Sequence, residues 1–441
     1  MGVMFVIQKR TKFLFLLCIL FLLIFILPKI TNSGPYTNSA HGNADYGVNR
    51  SSLSTFGYSK GNCAHCHEQH ASIGGSEPIP TGGPDKYALF YKNHISQTDN
   101  FCFKCHTDTG SLQGTGALYN YSYSYRAGAC PSSLCTENSI LKLFSYTTNG
   151  SSHNLDAILN FINGKWGYTS DSNPCVACHN PHRAQGDPAN SSSPKSSSTR
   201  GWPVSRPSQH SKDNSLWGLW GDDPTERMSS YASGYTYQAP YRYGSTTTYE
   251  PDGSTTTDGS NLTDFVTFCQ DCHSSSMTGP PYNLLHTPIN WEATGDKHGK
   301  GAADGTISVK NPYSNSSIGW YVLSCLDCHE PHGAPNPFLI RKEVNGGTVS
   351  IGTSDYGYLC GRCHLDDSNF GGSANRWEGV HHCKGDYPYV QKSCSDCHGS
   401  GGGGVVCQGG PGTTPAIPCS NCHYHGSSAN ATVSPSPRRT F

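Results

Sequence analysis

The chain has 441 residues, of which 35% are hydrophobic, 14% charged and 11% aromatic, with 50 glycines and 28 prolines. So few charges and so much glycine and proline argue against an ordinary soluble domain with long helices and a large aliphatic core. The aromatic residues and 21 cysteines argue equally against a disordered chain. Because the net charge is −1, electrostatics give no reason to expect a nucleic-acid partner.

The first predicted element is a secretory signal peptide over residues 1–33. Three basic residues precede the apolar run Phe13–Leu27, whose 15 residues are fewer than the roughly 20 of a membrane span. Pro28 ends the run, and small residues up to Ser33 suit cleavage there. An uncleaved anchor is the alternative. Cys18 lies inside the apolar run rather than behind small residues at its end, so a lipid anchor is not expected.

The pattern Cys-x-x-Cys-His then occurs eight times and uses 16 of the 21 cysteines. It predicts covalent c-type haem, because two thiols at this spacing reach two vinyl groups on one porphyrin edge while the adjacent histidine binds the iron. Zinc sites and redox-active Cys-x-x-Cys pairs are alternatives, but neither requires that histidine. The predicted thioether residues are Cys63, Cys66, Cys102, Cys105, Cys175, Cys178, Cys269, Cys272, Cys325, Cys328, Cys360, Cys363, Cys394, Cys397, Cys419 and Cys422. Motifs 1 to 8, in chain order, end at the predicted proximal iron ligands His67, His106, His179, His273, His329, His364, His398 and His423.

Eight haem c groups would replace the missing apolar interior. The predicted fold class is therefore a coil-rich multihaem cytochrome with few short α-helices, little β structure and an interior formed by a stacked haem chain. Residues 34–425 form the octahaem unit, and residues 426–441 form a Ser/Pro-rich tail. One helix is expected from Asn154 to Asn163, with Gly164 as its stop, and single helical turns are expected at the motifs.

The second axial ligand of each haem is expected to be histidine, because the chain has 21 histidines and only four methionines. His70, His182 and His332 each follow a motif histidine by three residues, too few to pass around the edge of the same ring. Each is predicted to bind a neighbouring haem and to hold two rings in parallel. His65, inside motif 1, is expected to be an ordinary surface residue. The full set of distal candidates is His41, His70, His153, His182, His210, His298, His332, His381, His382 and His425.

Four cysteines remain outside the signal peptide and the motifs. Cys130 with Cys135 and Cys383 with Cys407 could close two loops, and disulfides are the default in an oxidising compartment. Zinc binding or a redox switch is the alternative for these cysteines.

The segments GYSKGNCAHCHEQHASIGG (57–75) and CLDCHEPHG (325–333) resemble the multihaem c-type cytochromes of metal-reducing bacteria. The chain is similar in particular to secreted members, some of which polymerise into extracellular filaments. The resemblance implies bis-histidine haems in alternating parallel and T-shaped pairs and long-range electron conduction. In some of those relatives a distal histidine comes from the adjacent subunit. Here His41 matches that role.

The preferred function is electron transfer through eight haems, by an extracellular protein that polymerises into a conductive filament or acts as a soluble carrier. The expected partners are further copies of the chain, other redox proteins or extracellular electron acceptors, without a membrane anchor once the signal is cleaved. Secretion to the exterior is expected, with periplasmic transit or residence. The alternative is an octahaem enzyme for a small nitrogen or sulfur compound. Such an enzyme needs an open iron, which some relatives mark with lysine, whereas all eight motifs here end in histidine.

Overall fold

The structure is a computed structural model. It describes residues 36–39, 41–45, 47–68, 87–91, 96–107, 140–146, 150–165, 167–179, 181–182, 227–231, 234–238, 241, 264–273, 298–299, 310–313, 321–349, 359, 362–363, 432–433 and 436–437. Motifs 1 to 5 are described in full and motif 6 in part. The predicted signal peptide, both predicted disulfides and motifs 7 and 8 lie outside the described residues, as does most of the predicted tail.

The described helices are all short. The α-helices are α1 (Ser51–Ser54), α2 (Ile140–Phe144), α3 (Leu155–Ile162), α4 (Met228–Tyr231) and α5 (Phe265–Gln270). The 3₁₀ turns are Tyr36–Asn38, Cys63–His65, Phe101–Lys104, Pro174–Ala177, Cys325–Asp327 and Pro337–Leu339. Four of these turns begin or contain a motif, and motif 4 begins within α5, so the helical turns predicted at motifs 1 to 5 are confirmed.

The described strands are two residues long and pair two at a time. They are β1 (Ser151–Ser152), β2 (Thr236–Tyr237), β3 (Tyr321–Val322), β4 (Gly333–Ala334), β5 (Glu343–Val344), β6 (Gly347–Thr348), β7 (Thr432–Val433) and β8 (Ser436–Pro437). The pairs β1–β4, β5–β6 and β7–β8 are antiparallel, whereas β2–β3 is parallel. Asn345 and Gly346 turn the β5–β6 hairpin with φ of 43° and 72°, the double positive φ of a type I′ turn.

The predicted helix is confirmed as α3. The Asn154 side chain caps it by accepting from the Ala157 backbone N–H at 2.8 Å, and Gly164 follows its end with φ +78°. Leu159 and Ile162 pack against the turn of motif 3, while Leu155 packs against Phe103 in the turn of motif 2. The helix therefore joins two successive motifs through one apolar face.

The apolar interior of the described part is divided into small clusters, and each cluster includes or adjoins a motif. One cluster joins Phe265 and Val266 of α5 to Leu326 in motif 5. Another packs Ile340 and Val344 against Cys363 in motif 6. Side chains thus hold the motif turns to one another, and these clusters are far smaller than the aliphatic core of an ordinary domain of this length.

Candidate functional site

Motifs 1 to 5 share one backbone geometry. The N–H of each motif histidine donates to the carbonyl of the first motif cysteine at 2.8–3.0 Å, and the N–H of the second cysteine donates to the same carbonyl at 3.0–3.3 Å. This turn places both cysteines and the histidine within one helical turn. Two thiols and an imidazole arranged in this way suit attachment to one porphyrin edge and ligation of its iron.

A polar side chain just before the cysteines caps the turns of motifs 1, 2, 3 and 5. In motifs 1, 2 and 3 the residues Asn62, Asn100 and Asn173 each accept from the backbone N–H two positions ahead at 2.9–3.0 Å. In motif 5 Ser324 and Asp327 form a reciprocal capping box. Such caps satisfy backbone donors that a single turn leaves unpaired, which lets so short a helix persist without a long sequence of helix formers.

The proximal histidines of motifs 1 and 5 are held by matching return segments. His67 Nδ1 donates to the Tyr87 carbonyl at 3.0 Å, and His329 Nδ1 donates to the Phe338 carbonyl at 2.9 Å. A carbonyl can only accept, so Nδ1 carries the proton and Nε2 presents a lone pair. Metal-binding histidines use this arrangement to fix ring orientation and tautomer.

Four proximal histidines each face a second histidine. The pairs are His67 with His182 (6.1 Å between ring centroids), His179 with His332 (5.9 Å), His41 with His106 (6.1 Å) and His153 with His273 (6.1 Å). A bond between imidazole nitrogen and a transition metal is about 2 Å, and the ring centroid lies about 1 Å behind the nitrogen, so two imidazoles on one metal have centroids about 6 Å apart. The spacing fits one iron between each pair.

Backbone carbonyls of two prolines orient the facing histidines His41 and His153. Each of these prolines directly precedes another facing histidine. His41 Nδ1 donates to the carbonyl of Pro181, next to His182, at 2.8 Å. His153 Nδ1 donates in the same way to Pro331, next to His332. Each Pro-His dipeptide behind a motif therefore offers one imidazole to one site and orients the imidazole of another.

Burial favours the neutral form of four of these imidazoles. It lowers the pKa of both His106 and His179 to about 3, and it also lowers the pKa of His41 and His182. Neutral imidazole is the form that binds iron, since a protonated ring has no lone pair to donate. The electrostatics of these four rings therefore suit ligation at neutral pH.

Successive motifs are neighbours in space. The Cys102 and Cys175 thiols share a hydrogen bond, as do those of Cys269 and Cys325. The pKa of the Cys66 thiol is raised to about 12, first by burial and then by the nearby Cys105 of motif 2.

Motifs 3 and 4, and motifs 5 and 6, are also close in space. Cys178 helps to raise the pKa of Cys272, after burial, which brings motifs 3 and 4 together. Motif 6 lies next to the β5–β6 hairpin that follows motif 5 in the chain, because Asn345 of this hairpin donates to the Arg362 carbonyl at 2.9 Å. Motifs 1 to 6 thus form a series in chain order.

The structure brings together four of the predicted distal candidates with proximal histidines: His41, His153, His182 and His332. His298 lies beside motif 5, where its carbonyl accepts from the Leu323 N–H at 2.9 Å. The other distal candidates lie outside the described residues, namely His70, His210, His381, His382 and His425.

His41 faces His106 of its own chain with ring centroids 6.1 Å apart, and its role toward a neighbouring subunit stays a prediction. The expectation for His65 is wrong. His65 is 0% exposed rather than at the surface. Its Nδ1 accepts from the Arg50 N–H at 3.1 Å and its Nε2 donates to the Ser59 carbonyl at 2.9 Å, which makes it a structural residue with both ring nitrogens engaged.

The sequence did not single out the groups that orient the ligands. These groups are mostly backbone carbonyls, those of Tyr87, Pro181, Pro331 and Phe338, and a carbonyl leaves no side-chain signature. A side chain also takes part, since Glu330 accepts from His332 Nδ1 at 2.8 Å. The sequence feature that could have identified Glu330 is its position between His329 and His332 in the segment CHEPH.

Comparison with known families identifies a doubled CXXCH motif over residues 322–369, which includes motifs 5 and 6. The doubled motif indicates a multihaem c-type cytochrome. Covalently bound haem c and electron transfer follow for a cytochrome of this kind. The chain matches no curated protein and no solved structure.

Two further properties concern the described residues of this chain. They contain no group of three or more histidine, cysteine, aspartate or glutamate side chains arranged to hold a metal ion. They also contain no helix of the length and hydropathy that crossing a membrane requires.

Proposed function

We propose that the chain transfers electrons through eight c-type haems, each held between two histidines. The observation that carries this proposal is the set of four facing imidazole pairs with centroids 5.9–6.1 Å apart. When bound, a haem iron with two histidine ligands cycles between its ferric and ferrous states. The residues of the chain supply both ligands, and backbone carbonyls orient His41, His67 and His153 by accepting from Nδ1–H.

The order of the motifs supports conduction rather than substrate turnover. Neighbouring motifs touch through their own cysteines, as Cys102 does with Cys175 and Cys269 with Cys325. Haems attached to touching cysteines have adjacent edges, which is what stepwise electron transfer needs. An enzyme would need one open iron face, whereas both faces are provided with histidine at four of the motifs.

The haem content and the ligation can be tested together. The chain should be expressed with its leader in a host that attaches c-type haem, and the mature protein analysed by intact mass and by EPR of the oxidised form. We expect eight haems, all low-spin. Fewer haems would contradict the assignment of the motifs, and a high-spin haem in the unaltered protein would favour the enzyme alternative.

We further propose that the protein is secreted and polymerises. The predicted signal peptide supports secretion. Polymerisation is supported by the register of the Pro-His segments, because His182 behind motif 3 faces motif 1 and His332 behind motif 5 faces motif 3. His70 holds the same sequence position behind motif 1. We propose that it faces a haem of a second copy of the chain.

Polymerisation can be examined by electron microscopy of the secreted fraction. We expect filaments from the native chain and dispersed protein with an unchanged haem count from His70→Ala. His65→Gln is the control, because His65 uses both ring nitrogens within its own chain. Filaments that persist in His70→Ala would contradict the proposed contact, and dispersed native protein would indicate a soluble carrier.

A further inference from the structure

Glu330 is a buried carboxylate beside a facing histidine. Its side chain is 0% exposed. Oε1 accepts from the backbone N–H of His332 at 3.0 Å and from His332 Nδ1 at 2.8 Å. Oε2 is buried and has no hydrogen-bond partner among the described residues. An ionised carboxylate in such a place requires a nearby positive charge.

This contact differs from those of the other oriented histidines. His41, His67, His153 and His329 all donate Nδ1–H to neutral backbone carbonyls. His332 instead donates Nδ1–H to a carboxylate, that of Glu330. A charged acceptor forms the stronger hydrogen bond and draws the proton further from the ring, which makes the imidazole a better electron donor to a metal.

The residue at the same place behind motif 1 has another partner. Glu68 and Glu330 both follow a motif histidine directly, and the backbone N–H of each donates to a return segment, at Ala88 and Leu339 respectively. The Glu68 side chain, however, pairs with Arg50 at 2.9 Å. The same sequence position thus carries a carboxylate neutralised by arginine in one motif and a carboxylate directed at a histidine in the other.

We propose that Glu330 is a positioning residue that fixes His332 and stabilises the ferric state at the site between His179 and His332. This inference rests on the proposed haem ligation. Ferric iron between two neutral histidines supplies the positive charge that the buried carboxylate lacks, and reduction removes that charge. The third haem therefore has a lower potential than it would have with a neutral acceptor in the place of Glu330.

The test is an EPR-monitored redox titration of the haem-loaded protein. Glu330→Gln keeps an acceptor oxygen but removes the charge. We expect one low-spin component to become easier to reduce, with about a tenfold higher ferrous-to-ferric ratio at a fixed potential, which corresponds to about 59 mV for one electron. Glu330→Asp keeps the charge and should restore most of the difference. The EPR signal of the site between His179 and His332 is identified as the low-spin signal that is lost in His332→Ala.

Glu68→Gln is the matched control, and it should leave the assigned component in place. The inference is overturned if Glu330→Gln titrates like the native protein, if all components shift together, or if Glu330→Asp shifts as far as Glu330→Gln. A native protein that contains no haem would instead overturn the proposed function, which the haem count by intact mass separates from failure of this inference.

Discussion

The imidazole rings of His179 and His332 face each other with centroids 5.9 Å apart and planes 15° from parallel. His179 ends motif 3, and His332 lies three residues behind the histidine of motif 5. His67 of motif 1 and His182 behind motif 3 repeat this relationship at 6.1 Å and 9°. Motifs 1 and 3 therefore each receive a facing histidine from the motif two places further along the chain, which ties motifs 1, 3 and 5 together.

Replacement of His332 by alanine should open one axial position. The haem attached at motif 3 remains bound through its two cysteines, so the haem count should stay unchanged while one haem changes from low-spin to high-spin. His65→Gln is the control, because His65 is buried and engages both ring nitrogens with the backbone. EPR of the oxidised proteins with a haem count measures both effects.

The outcome of this substitution discriminates between two interpretations of the ring contact. A high-spin signal in His332→Ala but not in His65→Gln supports axial ligation. If His332→Ala remains fully low-spin, the His179–His332 contact is only packing, and the ligand of that haem must lie elsewhere.

The ring angles predict more than one class of EPR signal. The planes of His67 and His182 lie 9° apart, whereas those of His41 and His106 lie 65° apart. Near-parallel imidazoles raise one iron d orbital more than its partner, while crossed rings raise both almost equally. The oxidised protein should therefore show rhombic low-spin signals alongside a signal of much larger g anisotropy. The second signal should disappear in His41→Ala, and a single uniform low-spin class would contradict the described geometry.

Local sequence signals predicted the local structure well. The apolar face of α3, its Asn154 cap and Gly164 lie within one short segment, and each acts through neighbours in the chain. The motif turns were predictable for the same reason. The pairing of β1 with β4 joins Ser151 to Ala334, and no local pattern in either two-residue strand specifies so distant a partner.

In the candidate site, too, the local features were predictable from the sequence and the long-range contacts were not. The proximal histidines follow from the motif itself, and the three-residue spacing correctly separates His182 from its own motif histidine. Which motif a distal histidine faces depends on how distant turns pack, so the sequence did not indicate that His41 faces His106. The surface expectation for His65 failed because its burial comes from contacts with Arg50 and Ser59, which are not motif residues.

The Asn100–Asn173 contact should couple motifs 2 and 3 energetically. Asn173 Nδ2 donates to Asn100 Oδ1 at 2.8 Å, and each residue also caps its own motif turn. Loss of a cap costs about 1 kcal/mol, and a buried amide left without its partner costs about 1–3 kcal/mol more. We expect Asn100→Ala to lower the free energy of unfolding by about 2–4 kcal/mol in a denaturant titration.

Asn62→Ala is the control for this cycle, because Asn62 caps motif 1 from an exposed position. It should cost about 1 kcal/mol. The double variant Asn100→Ala/Asn173→Ala should cost less than the sum of the single variants, with a coupling of about 0.5–3 kcal/mol. Strict additivity would show that the two caps act independently and that this contact does not hold the motifs together.

Removal of the thiols of motif 3 should interrupt the series of haems. Cys175 contacts motif 2 through Cys102, and Cys178 lies close to Cys272 of motif 4, so motif 3 stands between them. The double variant Cys175→Ser/Cys178→Ser should lose one haem by intact mass and should conduct electrons poorly across a protein film between electrodes. Cys130→Ser, outside the motifs, should keep the full haem count and native conduction. Conduction that survives the loss of the third haem would mean that the haems of motifs 2 and 4 exchange electrons directly, contrary to the order inferred from the cysteine contacts.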